Sequence, residues 1–313
     1  MKKRMLLFSA IGLLIPFAVG CTKAEPPHQH EYSYSVVEQP NKTIYLTGQD
    51  FDPAGITISK SCNGCDERFS INDVQVLDGE DLQVGENEVT IKVEDFTTKI
   101  SIEVKESYTV ACCGDSLTEG HMWPNEAYPN YINDFANHTF NVVNCGRNGI
   151  SITGYGGSWD NPNDRFQIHN RDNRNLYKQS LDCNPDVVLL FLGTNDATGW
   201  ANAEPLFEQQ YRELIDSYIE KLGAKTKFIM MVSPPTQTPN NFNIPNDKIN
   251  DYVNPIQRQL GAEYGMEIID LRELFEAKED GYASFIRNND GVHLSKSGAQ
   301  FVAEQIANVL DQI

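Results

Sequence analysis

Four short segments of this chain carry the residue types that cleavage of an ester requires. In chain order they span residues 114–117, 144–149, 193–196 and 290–293. Together they offer a serine hydroxyl, an imidazole, a carboxylate and several amide N–H groups. A serine hydroxyl is a good nucleophile only when a base takes its proton, and the tetrahedral intermediate needs donors around its oxyanion. The combination therefore predicts acyl-transfer chemistry.

Ser116 is the predicted nucleophile and His293 is the predicted base. Ser116 follows an apolar run that predicts a strand, so a strand-to-helix turn would expose its hydroxyl. Asp290 stands three residues before His293 and can accept the imidazole Nδ1–H, which fixes the tautomer and stabilises the imidazolium. A simpler interpretation stays open, because Gly-Asp-Ser is a common turn and His293 is one of six histidines.

Three hydrogen-bond donors are predicted for the oxyanion. Ser116 and Gly149 would supply backbone N–H groups, and Gly149 has no side chain to block an approaching carbonyl. Asn195 would supply its side-chain amide from a loop that follows an apolar run. One such donor lowers the barrier by about 3 kcal/mol. Asp115 and Asp196, beside these residues, are expected to bond loop backbone rather than to act chemically.

A parallel sheet would bring these segments together. Apolar runs alternate with segments of helical period, which argues for an α/β fold with helices on both faces of the sheet. The predicted strands cover 109–113, 140–144, 186–192, 227–232 and 267–271, and the predicted helices cover 204–222, 246–264 and 296–312. Working residues of such sheets lie at the carboxyl ends of strands, where the segments fall, or in the loop before the last helix.

The four segments resemble the signature blocks of the SGNH (GDSL-type) hydrolase family. The matching strings are GDSLTEG, NCGRNG, GTND and DGVH, in that order, and the resemblance covers about 107–313. It implies a three-layer, doubly wound, flavodoxin-like parallel sheet in that part of the chain. It also implies an esterase that needs no metal and no organic cofactor, because a Ser-His-Asp triad works without either.

The same resemblance implies a role for each motif residue. Ser116, Gly149, Asn195 and His293 match the residues that give the family its name, and Asp290 matches its acid. Gly149 is assigned to the oxyanion rather than Gly146 because it follows the Asn of its block by five places, as in the family pattern.

Residues 31–106 have a different sequence pattern, which is typical of β structure. Short runs of period two, separated by turn residues, predict about seven strands in a β-sandwich. The stretch KTIYLTGQDFDPAGITIS resembles the opening of bacterial Ig-like surface modules. That resemblance implies a spacer or an accessory binding module and no chemistry.

The first thirty residues predict export and anchoring. Residues 1–20 have a basic start and an apolar run too short to span a membrane, which is typical of a signal peptide. Small residues before Cys21 resemble a bacterial lipoprotein cleavage site, with Cys21 as the lipidated residue and 21–30 as a linker. An ordinary secretory signal is the alternative. Either way, we expect an extracytoplasmic protein, and with the lipid it is tethered to a membrane surface.

The formal net charge of −19 argues against nucleic acid as a partner. A surface this acidic repels phosphate backbones and anionic headgroups, and it accepts neutral or cationic substrates more easily. Solubility alone is also a sufficient explanation of the charge.

Aromatic and polar residues in the loops near the four segments suggest the substrate. Flat rings beside amide and carboxylate groups suit sugar rings and hydroxyls, whereas long acyl chains would need an aliphatic groove. The tentative substrate contacts are Trp123, Tyr155, Trp159 and Trp200, with His121, Tyr128, Asp160, Arg165, Asn240, Asn241 and Asn243 in the same loops. These features favour a carbohydrate O-acetylesterase. The alternatives are a lipase or thioesterase of the same family, or a non-catalytic surface glycan-binding protein.

Six cysteines remain besides Cys21. Cys62 and Cys65 flank an Asn-Gly turn, and outside the cytoplasm a local disulfide is the plain interpretation. A redox motif would open a helix in a βαβ unit, and a zinc site would need two more ligands. Buried free thiols are expected at the other four, although a Cys113–Cys145 bridge is an open alternative; the four are Cys112, Cys113, Cys145 and Cys183.

Overall fold

A computed structural model of the chain describes residues 31–63, 68–153, 176–279 and 281–313. The predicted signal peptide, Cys21, Cys65, Tyr155 and Trp159 lie outside the described residues, as do Asp160 and Arg165. The chain divides into two compact units. The first comprises the described residues of 1–42, 52–78 and 90–100, and the second comprises those of 43–51, 79–89 and 101–313.

The N-terminal β region contains the predicted seven strands within the described residues. They form a three-stranded sheet in the order β1-β3-β4 and a four-stranded sheet in the order β2-β7-β6-β5. Alternate residues of the long strands are buried, as the period-two pattern predicted. The strands are β1 Glu31–Glu38, β2 Ile44–Leu46, β3 Thr57–Asn63, β4 Arg68–Ile71, β5 Gln75–Val76, β6 Gly85–Val93 and β7 Phe96–Lys105.

The rest of the described chain forms an α/β fold around one parallel sheet. Its strands lie in the order β12-β11-β10-β8-β9, and every neighbouring pair is parallel. They are β8 Thr109–Gly114, β9 Asn141–Gly146, β10 Val187–Phe191, β11 Lys227–Val232 and β12 Glu267–Asp270. The five predicted strands are therefore confirmed, and their observed ends differ from the predicted ones by at most two residues.

Helices cover both faces of this sheet because its central strands are apolar on both. Val188 and Leu190 of β10 pack in one core, and Val187, Leu189 and Phe191 pack in the other. The first core takes side chains from α3 Leu176–Asp182, α5 Phe207–Leu222 and α7 Asn254–Glu263. The second takes them from α2 Ile132–Phe135, α8 Leu271–Glu276 and α9 Lys296–Leu310. This confirms the predicted three-layer, doubly wound arrangement.

The segment predicted as one helix over 246–264 is interrupted. A π-helix, Ile249–Val253, separates the short helix α6 Asn246–Lys248 from α7, and the Asn254 N–H donates to Ile249 O, five residues earlier. Pro255 lies in the first turn of α7 and has no N–H to continue the α-helical pattern. The proline therefore accounts for the change of helix type.

The topology places a switch point at the carboxyl ends of β8 and β10. β8 and β10 are neighbours, and the strand order reverses between them. Doubly wound sheets bind ligands at such a switch point. None of the helices in the described ranges is long and apolar enough to cross a membrane. Within the same ranges, no three His, Cys, Asp or Glu side chains are grouped as metal ligands would be.

The cysteines of the α/β fold are free. Cys113 and Cys145 are paired in register on β8 and β9, both are fully buried, and the bridge that the sequence left open is not formed. Cys112 is buried and free, and Cys183 is half-buried and free. In the N-terminal β region, Cys62 is disulfide-bonded.

Candidate active site

Ser116 lies immediately beyond the carboxyl end of β8. It is the first residue of a one-turn helix, α1 Ser116–Glu119, and it is 6% exposed. The Asp115 side chain caps this turn by accepting the Leu117 N–H at 2.8 Å. The cap fixes the turn that the sequence predicted, and Ser116 projects from it towards the loop that precedes α9.

His293 is 177 positions from Ser116 along the chain, and the fold brings the two side chains into contact. Its Nε2 lies 2.9 Å from Ser116 Oγ, and its Nδ1 lies 3.1 Å from Asp290 Oδ2. The other carboxylate oxygen of Asp290 accepts the N–H groups of Val292 and His293 at 2.8 and 2.9 Å. The structure thus brings together the three residues that the sequence proposed as nucleophile, base and acid.

The loop that follows β11 supports the His293 loop. The Asn241 N–H donates to Asp290 O at 2.9 Å, and the Gln237 N–H donates to Gly291 O at 2.8 Å. Gly291 has a φ of +79°, and a Cβ there would lie 2.9 Å from Asn240 Cβ. The close approach of the two loops therefore requires glycine at this position.

Two asparagines of that supporting loop use their side-chain amides in hydrogen bonds to the backbone. The Asn240 amide donates to the carbonyls of Gln237 and Ile244, and its oxygen accepts from Phe242 N–H and Ile244 N–H. The Asn241 amide donates to Asn289 O at 2.6 Å. The sequence suggested that both could face sugar hydroxyls, and the contacts described for their side chains are to the backbone of these loops.

The three predicted oxyanion donors lie on segments that are hydrogen-bonded to one another. Asn195 Nδ2 donates to Ile150 O at 2.8 Å and to Asp115 Oδ2 at 3.3 Å, so it joins the second segment to the first. Gly149 has a φ of +78° and open space on its Cβ side. Within the described parts of the chain, neither the Ser116 nor the Gly149 N–H has a protein acceptor. Both N–H groups can therefore serve an incoming oxygen.

Two buried carboxylates support these donor segments. Asp115 binds the Leu117 N–H, and Asp196 accepts the N–H groups of Ile152 and Thr153 at 3.0 and 2.9 Å. Burial, as the main cause, raises the pKa of Asp115 to about 7 and that of Asp196 to about 6. Both bond loop backbone, as the sequence predicted.

The surroundings of His293 favour its neutral form. Burial lowers the pKa of this imidazole below its ordinary value, and the charge of His121 lowers it further. Asp290 opposes both effects, and Arg287 contributes a smaller lowering. An imidazole that stays neutral near pH 7 is the form that a general base needs.

Aromatic rings enclose the His293 imidazole. The His121 ring stacks on it with centroids 4.0 Å apart and 3° between the planes, and Phe242 packs edge-on at 5.0 Å. Phe242 is 38% exposed and was not singled out in the sequence, where the only signal is an aromatic residue within an Asn-rich run. Trp123 lies beside His121, and the Arg287 guanidinium covers its ring at 3.7 Å.

Two predicted loop aromatics lie in the core instead. Trp200 is 6% exposed and packs against Phe207 and Tyr252, with centroids 5.6 and 5.4 Å away. Tyr128 is fully buried against Phe191. Neither offers a substrate much surface, because neighbouring apolar side chains cover both rings. Of the four tentative substrate contacts, Trp123 is the one that the described residues place beside His121, the ring that stacks on His293.

Comparison with known proteins agrees with this arrangement. Residues 112–301 match the GDSL-like Lipase/Acylhydrolase family, and residues 38–104 match the bacterial Ig-like domain, group 3. The second match confirms the Ig-like character predicted for the N-terminal β region.

A curated relative and two solved structures are similar to this chain. An acetylxylan esterase of Xylanibacter ruminicola is 27% identical over 223 residues, which are 65% of this chain and 43% of that protein. The chain thus spans less than half of that relative. A lipase/acylhydrolase from Enterococcus faecalis is 20% identical with a TM-score of 0.48, covering 66% of this chain and 96% of the other. An aryl esterase from M. smegmatis is 17% identical with a TM-score of 0.47, covering 66% and 99%.

The matched residues 112–301 make up more than half of the chain and contain Ser116, Asp290 and His293. The chain therefore belongs to the GDSL-like lipase/acylhydrolase family.

Proposed function

We propose that this protein is an extracytoplasmic O-acetylesterase that removes acetyl groups from polysaccharide or glycan through a Ser116–His293–Asp290 triad and an acyl-enzyme. The proposal of a triad rests on the two contacts of the His293 ring. Its Nε2 lies 2.9 Å from Ser116 Oγ, and its Nδ1 lies 3.1 Å from Asp290. These are hydrogen-bonding distances that allow proton transfer along the chain of three groups.

In the first half of the proposed reaction, Ser116 Oγ attacks the acetyl carbonyl while its proton passes to His293 Nε2. Asp290 accepts the Nδ1–H and stabilises the imidazolium that forms. The tetrahedral intermediate then collapses, and His293 gives the proton to the departing sugar oxygen. The products are a free sugar hydroxyl and acetyl-Ser116.

The second half repeats these steps with water. His293 takes a proton from a water molecule, which attacks the acetyl-Ser116 carbonyl, and the proton returns to Ser116 Oγ as acetate leaves. Each half passes through an oxyanion. The unpaired N–H groups of Ser116 and Gly149 would bind it, together with Asn195 Nδ2, whose 3.3 Å bond to Asp115 is long enough to be shared.

Similarity to an acetylxylan esterase supports an acetylated carbohydrate as the substrate. The surroundings of the triad suit an ester of a sugar hydroxyl, because aromatic rings can pack against a sugar ring. Phe242 lies beside His293, and Trp123 lies beside His121. Trp123, Tyr155 and Trp159 are the side chains that we propose to contact the sugar.

The membrane anchor is proposed from sequence alone, through a lipid on Cys21. Metabolic labelling of the expressed protein with a fatty-acid analogue tests it, and Cys21→Ala is the matched control. Label in the wild-type chain that is lost in Cys21→Ala supports the anchor, and equal label in both excludes it.

Acetate release from a panel of acetylated polysaccharides and sialylated glycans tests the proposed substrate class. The rates of hydrolysis of p-nitrophenyl esters with acyl chains of increasing length are measured in parallel. Acetate release from at least one polymer, with rates that fall from acetyl to long-chain esters, supports the proposal. Rates that rise with chain length would favour a lipase or thioesterase.

A further inference from the structure

We propose that His121 is a positioning residue for the base, and that its ring, stacked on the imidazole of His293, holds that imidazole in line with Ser116. The proposal rests on the proposed function, because it assigns His293 as the base. Nothing in the four motif segments requires a histidine at this position.

The first support is the geometry of the stack. The two imidazoles are almost parallel, with 3° between their planes and 4.0 Å between their centroids. The edge-on ring of Phe242 stands 5.0 Å from the His293 ring at 86°. Rotation about the terminal torsion of a histidine is soft and broad in the absence of such contacts. Contacts on the face and on the edge therefore restrict the orientation in which Nε2 meets Ser116.

The second support is the backbone that places the ring. His121 has a φ of +46°, which is uncommon for a residue with a side chain, and it follows Gly120 at +89°. The Trp123 N–H donates to Gly120 O at 2.7 Å and closes this turn. A Cβ on Gly120 would lie 2.8 Å from Ala127 Cβ, so the turn can form only with glycine there. A strained residue held by its neighbours beside reacting groups suggests a functional constraint.

The third support is that polar contacts do not explain where the ring lies. His121 Nδ1 is buried and has no hydrogen-bond partner among the residues that the structure describes. The contacts of the ring are aromatic, with His293 on its face, Phe242 at 5.7 Å and 88°, and Trp123 at 6.1 Å. An unpaired buried nitrogen is unfavourable. The site therefore uses the flat shape of the ring.

The stack also has an electrostatic consequence. Three charged or titratable groups act on His293, namely Asp290 at Nδ1, the ring of His121 and the guanidinium of Arg287. A neutral His121 ring presents its π face to the imidazolium that forms during catalysis, which is favourable. A protonated His121 would place a second positive charge 4.0 Å away and oppose that step.

His121→Ala and His121→Phe test the proposal, with p-nitrophenyl acetate as the substrate. His138→Ala is the matched control, because this half-buried histidine lies in the loop at the amino end of β9, away from the carboxyl-end site. We expect His121→Ala to lower kcat by about tenfold with a smaller change in KM, since slight misplacement of a reacting group lowers turnover. His121→Phe, which keeps a flat ring, should recover most of kcat.

The pH profile gives a readout that a purely structural role would not move. A phenyl ring cannot take up a proton beside His293, so in His121→Phe the pKa of His293 should rise and the acid limb of kcat/KM should shift to higher pH. The NMR titration of the His293 ring nitrogens should show the same shift without any need for turnover. This measurement separates the proposal from the proposed function, which fails if the wild-type chain hydrolyses no ester.

Three results would overturn the proposal. One is a kcat in His121→Ala equal to that of His138→Ala and the wild type. Another is a kcat in His121→Phe as low as in His121→Ala, which would assign the role to a ring nitrogen. The last is a His293 titration that is the same in wild type and His121→Phe. If His121→Ala does not fold, the kcat and titration of His121→Phe decide the question.

Discussion

The side-chain amide of Asn195 donates to the carboxylate of Asp115 at 3.3 Å, and the same carboxylate caps the turn that carries Ser116. Asp115 is 1% exposed, and burial raises its pKa to about 7. One buried carboxyl therefore connects a proposed oxyanion donor to the proposed nucleophile.

Asp115 should make stability depend on pH. Its pKa is raised in the folded state above the ordinary value of 3.8, so the folded chain retains the proton where the unfolded chain has lost it. The stabilisation is complete below about pH 4 and is lost as the pH rises to about 7, a change on the order of 4 kcal/mol for this group. Asp115→Asn keeps a capping side chain and should flatten that dependence. Urea unfolding between pH 5 and 8 measures it, and an equally steep dependence in Asp115→Asn would contradict the assignment.

Asn195→Ala should lower kcat by about a hundredfold or more with little change in KM, because an oxyanion donor acts mainly on the transition state. The exposed Asn250 offers a control, since Asn250→Ala removes the same amide far from any of the four segments along the chain. Steady-state kinetics with p-nitrophenyl acetate measures both variants. A rise in KM with an unchanged kcat in Asn195→Ala would instead indicate ground-state binding.

The acid limb of kcat/KM should lie below the ordinary histidine value of 6.5. Burial and the charge of His121 lower the pKa of His293, so the imidazole stays unprotonated, and able to act as a base, at a lower pH than a free histidine. A pH–rate profile of the wild-type enzyme measures the limb. An apparent pKa above 6.5 would contradict the described environment of His293.

Trp200→Ala should reduce stability rather than substrate affinity. The ring is 6% exposed and packs against Phe207 and Tyr252, so its removal leaves a cavity that costs about 3–5 kcal/mol. Trp123→Ala is the comparison, because Trp123 is half-buried beside His121. Unfolding free energies and KM for an acetylated glycan distinguish the two. An unchanged stability with a raised KM in Trp200→Ala would restore the sequence-based interpretation of that residue.

The parts of the fold that sequence predicted well are those with a local physical signature. Val187–Phe191 is a continuous apolar run because a central parallel strand is buried on both faces. Ser116, Gly149 and Asn195 were also predictable, since each follows a strand and the carboxyl ends of parallel strands share one edge of the sheet, whereas Asp290 and His293 were predictable from the motif in the loop before the last helix.

The rest depended on contacts between distant segments. Trp200 follows Asn195 closely and could face either substrate or core, and its burial is decided by Tyr252 on the π-helix. Phe242 reaches His293 only because the loop after β11 is held against the His293 loop by hydrogen bonds. No periodicity or local motif encodes either contact.

Hydrolysis of p-nitrophenyl acetate by the wild-type chain and by Ser116→Ala, with thermal unfolding of both, tests the central claim most directly. The account predicts turnover in the wild type and a loss of at least about a thousandfold in Ser116→Ala, with an unfolding temperature that is little changed. Equal turnover by a folded Ser116→Ala protein would contradict it.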